Sequence, residues 1–578
     1  MEIKNLSLTK YRDDILFLPL GGSNEIGLNC NLYHYNGKWI IVDCGVGFVK
    51  TVPGVDLIVP DTSFFRKFKD DILGIFLTHI HEDHIGAIQY IWKEIQVPIF
   101  TSRFTKYFLY EKLKEYDFYN EVEINEFNEG DKVKIGDFEV ESINLTHSTP
   151  EMNAMLIKTP NGSILNTGDW KFDEDPVIGA KSNIKRLKQL GSQGEILATV
   201  CDSTNVFTKR ERNSEGELLD SLYNVIKQKE GIVVIATFAS NVARIKTISQ
   251  VAKKTKREIL LVGSSLIRLV KVAREVGFFD ESDVFLTEED LKKDFEGKNL
   301  IIISTGCQGE RFAGTEKLAT DGLRHIHLTD SDCVIFSSST IPGNERDLLY
   351  LYNKFAEKGL EVITDKTDFV HVSGHYTIED LKNFYDYTKP KLAIAVHGED
   401  MHLLEHQKIA RDCGIKNVAK GQDGVLIKIE QDGKIERIGK LNTKISFVDG
   451  KRLLPFGSEI IKARQKMQEV GCVFVNLLVN NRLKIIQEPI ISAPGGYDLD
   501  NDRSTKEILK EDILQAYNNA IKQIVEIKQE SKKRFNTEEE KKDFIEQRIR
   551  TAVNKVFDYE IGKKPYMEII FTNLDSGE

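Results

Sequence analysis

The sequence predicts a multidomain α/β protein: a sandwich of packed sheets, a parallel α/β unit inserted into it, and a small α+β domain after it. Three observations lead there. At 578 residues the chain exceeds what one core organises, so about three or four domains is the starting expectation. From residue 15 to about 170, short apolar strands close in Gly, Asn or Asp turns, whereas from about 206 to 365 strand and helix alternate. Strand character then returns at Phe369–His371 and Leu392–His397 and runs to about 445, which marks the middle unit as an insertion.

In chain order, the first segment carries strands at Ile15–Pro19, Asn31–Tyr35, Trp39–Val42, Ile72–Leu77, Val133–Ile135, Phe138–Leu145 and Ile164–Asn166, a spacing that suits sheets packed together. In the insertion, Ile232–Ala236 is followed by a helix from Asn241 and Ile259–Val262 by one from Ser265. Leu300–Ser304 and Cys333–Ser337 are further buried strands, and the alternation is that of a parallel sheet. Past about 450, Val473–Val479 and Leu483–Gln487 flank Asn480-Asn481 as a hairpin. Two helices then open at Ser504-x-x-Glu507 and Thr537-x-x-Glu540, both of capping-box form. The expected segments are 1–205 and 366–449 for the sandwich, 206–365 for the insertion and 450–578 for the last domain.

The composition, 41% hydrophobic and 29% charged, is that of soluble globular protein. The first residues, MEIKNLSLTKYRDD, lack a secretory signal. The longest apolar runs fall short of the roughly 20 residues that span a bilayer. A cytoplasmic location without a membrane anchor is therefore expected. Seven scattered cysteines with no C-x-x-C pair read as reduced thiols, neither a disulfide frame nor a thiolate zinc site. A net charge of −10 argues against nonspecific nucleic-acid binding through a basic surface. Any such affinity is local, and the runs Arg66–Lys69, Lys209-Arg210 and Lys253–Arg257 are more commonly solvated faces.

The strongest chemical signal is Phe76-Leu77-Thr78-His79-Ile80-His81-Glu82-Asp83-His84-Ile85-Gly86. In an extended segment side chains alternate, so His79 and His81 face one way, and Asp83 and His84 follow where the chain turns into a helix. One loop thus presents two pairs of ligands to two neighbouring points. Imidazole and carboxylate without thiolate suit a catalytic zinc or manganese site. His147, Asp169 and His397 each sit where a strand ends, the place from which a rigid sheet projects chemistry on loops.

His-x-His-x-Asp-His, a later His, Gly168-Asp169 and Asp43 resemble, in order, the motifs of the metallo-β-lactamase superfamily. The resemblance implies an αββα sandwich holding two divalent ions per subunit, zinc foremost, with manganese or magnesium as alternatives for turnover. It assigns His79, His81 and His147 to one ion and Asp83, His84 and His397 to the other. Asp169 would bridge them and Asp43 would orient a ligand histidine. Two ions about 3.5–4 Å apart acidify a water and clamp the attacking and leaving oxygens of an in-line displacement.

Superfamily motifs leave the substrate open between lactams, thiolesters and nucleic acids. Asp202-Ser203-Thr204-Asn205, Ala236–Asn241, His371–His375 and His397-Gly398-Glu399 resemble the β-CASP nucleases. Gly21–Gly27, Thr167–Asp173, Thr305–Glu310 and Ile341–Asn344 are similar to the bacterial ribonuclease J family. The similarity covers residues 15 to about 445 and is looser at Ser492–Tyr497. Ser264 stands where that family has arginine, Tyr376 where small residues are usual, and Cys307 where it has serine.

The resemblance implies an RNase acting 5′-to-3′ on 5′-monophosphate ends and also internally, in RNA maturation and decay. It assigns general-acid chemistry to His375, with Asp202 and Asp43 in catalytic support, and a 5′-phosphate pocket to Ser240, Asn241, His371, Val372, Ser373, Gly374 and His375. It further implies RNA as substrate, a homodimer or dimer of dimers, and association with other RNA-decay proteins. The apolar stripe Leu509, Ile513, Tyr517, Ala520, Ile521 and Ile524 serves either the last domain's own core or the dimer, and the resemblance favours the dimer. Two rivals are a small-substrate hydrolase, which needs no α/β insertion, and a silent scaffold, which would have lost ligands.

Overall fold

The computed structural model describes residues 7–49, 51–209, 213–291, 299–529, 535 and 537–573. The chain forms two compact units, Met1–Phe48 with Leu57–Leu453, and Val49–Asp56 with Leu454–Glu578.

In the first unit, an eight-stranded sheet runs in the order 435–440, 425–429, 15–21, 30–35, 38–42, 72–76, 99–101, 124–126. A seven-stranded sheet runs 417–420, 392–396, 196–202, 162–166, 153–159, 138–144, 132–135. The period of two along each strand divides the apolar residues between faces. Phe17, Tyr33, Ile40 and Val42 meet Val140, Met155, Ile157, Val200 and Ile394 between the sheets. Leu16, Leu18, Leu32 and Ile41 point outward, under Phe64, Phe65, Ile88, Ile91 and Trp92 of the helices 62–67 and 88–95. On the far side Leu156, Leu165 and Ala393 lie under Leu187, Phe384 and Ile409 of the helices 184–193, 378–388 and 400–412. Helices thus cover both outer faces, the αββα layering that the resemblance implies.

The chain leaves this sandwich after strand 196–202 and returns as strand 392–396, which lies parallel beside it with Asp202 opposite Val396. Between them is a five-stranded parallel sheet, ordered 258–262, 300–304, 233–236, 333–336, 361–363. Its strands other than the edge 361–363 are buried on both faces, Ile235, Leu261 and Ile303 towards one helical layer and Val234, Leu260 and Ile302 towards the other. That double burial is why they read as unbroken apolar runs. Phe369–His371, expected as a strand, forms none and joins no sheet.

The second unit pairs strand 472–479 in parallel with 566–573 and antiparallel with 490–492, against the helices 503–529 and 538–561. Three expectations are corrected here. Leu483–Gln487 forms no strand: it gives one antiparallel bridge, Val479 to Ile485, and the antiparallel return strand of 472–479 is 490–492. Ser504 does not cap its helix; the Asp502 carboxylate accepts from the Thr505 N–H (3.1 Å) and takes that role. The stripe Leu509, Ile513, Tyr517, Ala520 and Ile524 is buried in the unit's own core with Val475, Leu477, Ile549 and Val553, and Ile521 packs against it. The capping box at Thr537 forms as read.

No described helix is long and apolar enough to cross a membrane, and all seven cysteines are free. The basic runs serve the fold: Arg66 meets Glu94 (3.0 Å), Lys253 meets Asp283 (2.8 Å), and Arg257 donates to the Gly231 carbonyl (2.6 Å). Arg210 lies outside the described residues.

Candidate metal centre

Strand 72–76 ends at Phe76 beside Val42 of the parallel strand 38–42, so the following Thr78-His79-Ile80-His81 runs past Asp43. Ile80 enters the core while His79 and His81 face the opposite way. His81 then starts the helical turn 82–85, which carries Asp83 and His84. The loop packs tightly: a Cβ on Gly45 would come within 1.7 Å of the Asp83 carbonyl oxygen, so only glycine admits this approach.

Asp43, buried and at a left-handed φ of 63°, organises the floor. Its carboxylate accepts from the Thr78 N–H (2.8 Å), the Thr78 hydroxyl (2.9 Å) and His84 Nδ1 (2.8 Å). With its hydrogen so used, Thr78 Oγ1 accepts from His79 Nδ1 (2.9 Å). His147 Nδ1 donates to the Gly374 carbonyl (2.6 Å). Each of these contacts fixes a ring by its outer nitrogen and turns the other nitrogen inward.

Two groups of inward atoms result. His79 Nε2 and His147 Nε2 lie 3.0 and 3.2 Å from His81 Nδ1. His397 Nε2 lies 3.2 Å from Asp83 Oδ2, and His84 Nε2 3.2 Å from Asp169 Oδ2. Within each of the sets His79-His81-His147-Asp169 and Asp83-His84-Asp169-His397 the donor atoms lie within 4.8 Å of one another, and Asp169 belongs to both. These are nitrogen and carboxylate donors, with the outer nitrogens of His79, His84 and His147 already engaged, a donor set that fits divalent cations.

The two groups differ in charge. Burial and the neighbouring imidazoles hold His79 and His147 well below the usual histidine range, and burial brings His81 down to about 4. For His84 and His397 burial works the same way, but the carboxylates, Asp169 above all, raise both well above it. Asp83, despite its burial, is drawn down to about 2 by His84 and His397.

Beside this centre, Asp202 ends strand 196–202 and accepts from His375 Nδ1 (2.8 Å) and the Thr204 N–H (2.7 Å). Burial opposes a charge on His375, yet Asp202 and Asp169 raise its pKa. The segment carrying it buries Val370 and Val372 and leaves His371 and Ser373 half-buried. Val372 thus offers a pocket only its backbone. Ser373 Oγ accepts from Asn205 Nδ2 (3.0 Å) and the His375 N–H (3.1 Å), which leaves its hydroxyl hydrogen to donate. A Cβ on Gly374 would sit 2.9 Å from the His147 ring.

Ser240 is half-buried, and Asn241 caps helix 242–255 by accepting from the Arg244 N–H (2.9 Å). The structure brings all seven expected ligands together and sets His375 and Asp202 next to them. Sequence reading missed Thr78, Thr204 and Arg244. Thr78 adjoins the first histidine, whereas Arg244 carries no local signal.

Residues 25–235 match the model of the metallo-beta-lactamase superfamily, residues 230–355 that of "Ribonuclease J, beta-CASP domain", and residues 359–419 that of a "Zn-dependent metallo-hydrolase RNA specificity domain". The chain is 34% identical to a ribonuclease J of Sinorhizobium meliloti over 97% of its length and 98% of the relative's. It is 36% identical to one of Mycobacterium tuberculosis over 75% and 77%, and 31% identical to one of Thermus thermophilus over 81% and 83%. A crystal structure of a protein of unknown function from Enterococcus faecalis shares the fold, with a TM-score of 0.51 and 16% identity over 74% of this chain and all of that one.

Proposed function

The chain belongs to the ribonuclease J family, and on that premise we propose that it hydrolyses RNA phosphodiester bonds at the Asp169 centre. In this reading it is a 5′-to-3′ exonuclease that prefers 5′-monophosphate ends and also an endonuclease, in RNA maturation and decay. The observation that carries it is the pair of donor clusters sharing Asp169. His79, His81 and His147 would hold one divalent ion and Asp83, His84 and His397 the other, with zinc foremost and manganese or magnesium as alternatives. Ions held there supply Lewis acidity, acidifying a water and neutralising charge on the phosphate.

The chain's own groups do the rest. Asp202 fixes His375 through Nδ1, so the ring holds a proton at Nε2 when cationic, and its raised pKa keeps that form available near neutrality. His375 is then the donor to the leaving 3′-oxygen, and Asp43 sets the facing of His79 and His84. Ser240 and Asn241 at the helix start, with His371, Ser373 and Gly374, form the terminal-phosphate pocket, in which the Ser373 hydroxyl, with its hydrogen left to donate, favours an anion. The four sequence segments with boundaries near 205, 365 and 449 are kept as the domain layout. Self-association through the last of them, cytoplasmic location and contact with other decay proteins remain parts of the reading.

The test is end-labelled RNA of one sequence bearing 5′-monophosphate, 5′-triphosphate or 5′-hydroxyl, with and without chelator. Cleavage that stops with chelator and is fastest on the monophosphate is expected. Chelator-resistant cleavage, or none at all, overturns the reading. His375→Ala should lose more activity on RNA than on a p-nitrophenyl phosphodiester, whose leaving group needs no proton.

A further inference from the structure

Arg244 is fully buried, its side chain wholly removed from solvent. A guanidinium in that position must be paired and hydrogen-bonded throughout, and its partners tell what it is for. Nε and Nη2 meet the two carboxylate oxygens of Glu215 at 2.6 and 3.0 Å. Nη1 donates to the Ser337 carbonyl at 3.0 Å. Nη1 also donates to Ser337 Oγ, and the two longest contacts reach the return segment: Nη1 to the Val370 carbonyl at 3.4 Å and Nη2 to the Val372 carbonyl at 3.5 Å. Ser337 Oγ adds a second donor to the Val370 carbonyl at 2.6 Å.

These carbonyls alternate with His371 and Ser373 along the segment. At its other end the Gly374 carbonyl is held by His147 Nδ1. The Arg244 backbone N–H, meanwhile, is capped by Asn241. One residue therefore grips both halves of the pocket, the helix start by its main chain and the segment 370–373 by its side chain. Its partner Glu215 is tied back as well, since the Glu215 N–H donates to Asp173 Oδ2 (3.1 Å), which also holds Lys171 (2.7 Å) in the turn that begins at Asp169. The polar path runs from Asp169's turn through Asp173, Glu215, Arg244 and the 370–374 backbone to His147, starting and ending at proposed metal ligands.

We propose that Arg244, held by Glu215, is a positioning residue that fixes the terminal-phosphate pocket relative to the metal centre and so determines 5′-end preference. The inference rests on the pocket reading above. A plain core ion pair would bear equally on everything the fold supports; a clamp on 370–373 bears on end recognition. The separation is available because replacing a buried pair by apolar residues of similar size commonly leaves a fold intact, whereas removing one partner strands a charge.

The experiment compares wild type, Arg244→Lys and the charge-free double variant Arg244→Met with Glu215→Met. Three readouts are taken on the metal-loaded full chain: bound metal, hydrolysis of bis(p-nitrophenyl) phosphate, and kcat and KM on 5′-monophosphate and 5′-hydroxyl RNA. The clamp predicts bound metal and small-diester hydrolysis within about twofold of wild type. It predicts a monophosphate preference lowered at least about fivefold in the double variant, mainly through KM, with Arg244→Lys in between. A preference that survives in the double variant, or a loss of metal and small-diester hydrolysis in step with it, overturns the clamp. Equal rates on both ends in wild type remove the pocket reading and the clamp with it.

Discussion

The two compact units differ most in what they bury. The first takes Asp43, His79, His84, Asp169, Asp202, Glu215, Arg244 and His397 out of solvent, while among the described residues of the second Thr505 is the one buried polar side chain. Burying a polar group without a partner costs about 1–3 kcal/mol by mutational measure. A core with no chemistry to perform therefore resembles the second unit, in which Val473, Val475, Leu509, Ile513, Val553 and Phe557 meet directly. In the first unit the buried polar groups are bonded to one another around Asp169, and the apolar layers on either side hold them there. Polar burial thus sets the unit that carries the two donor sets apart from the other.

The largest effect expected from this contrast is at Asp169, which both donor sets share. Asp169→Ala should lower RNA cleavage by more than about a thousandfold, well beyond the roughly 10–100-fold that outer partners of a metal site are worth, with circular dichroism unchanged. Retained cleavage would break the comparison. In the second unit, Leu509→Ala should instead cost about 2–5 kcal/mol of that unit's stability by cavity formation. Denaturant unfolding measures it, and small-diester hydrolysis at 25 °C should stay at wild-type level.

Asp43→Ala removes no proposed ligand but frees the rings of His79 and His84. Metal affinity, read by chelator competition, should fall about 10–100-fold. The smallest effect is at the exposed pair Lys462–Glu459 (2.7 Å) on the second unit. There Lys462→Ala should change stability by less than about 0.5 kcal/mol, because solvent screens the pair. A larger change would mean that the second unit depends on charge after all.

What the sequence made legible followed chain distance. His79, His81, Asp83 and His84 stand in one loop, so the alternation of an extended segment already sorts them, and the sheets with long apolar runs were equally plain. Asn153–Thr159 and Ile196–Asp202 give no clear strand signal because mixed or small residues blur their period. Phe369–His371 has strand composition, yet its neighbouring carbonyls are taken by Arg244 and Ser337 in place of a ladder. Ser504 has capping form but Asp502, two residues earlier, captures the helix end. The strand 472–479 and the Glu215–Arg244–Val372 chain are fixed by partners 94, 29 and 128 residues apart, a link that no local pattern encodes.

The central claim is that two donor sets joined by Asp169 each hold a divalent ion, and metal content of the purified full chain tests it most directly. Elemental analysis after dialysis should find two divalent ions per chain in wild type, one for each donor set. About one should remain in His147→Ala, which thins only the histidine-rich set, or in His397→Ala, which thins only the carboxylate-rich set. A wild-type content near zero, or contents unmoved by either substitution, would contradict the account.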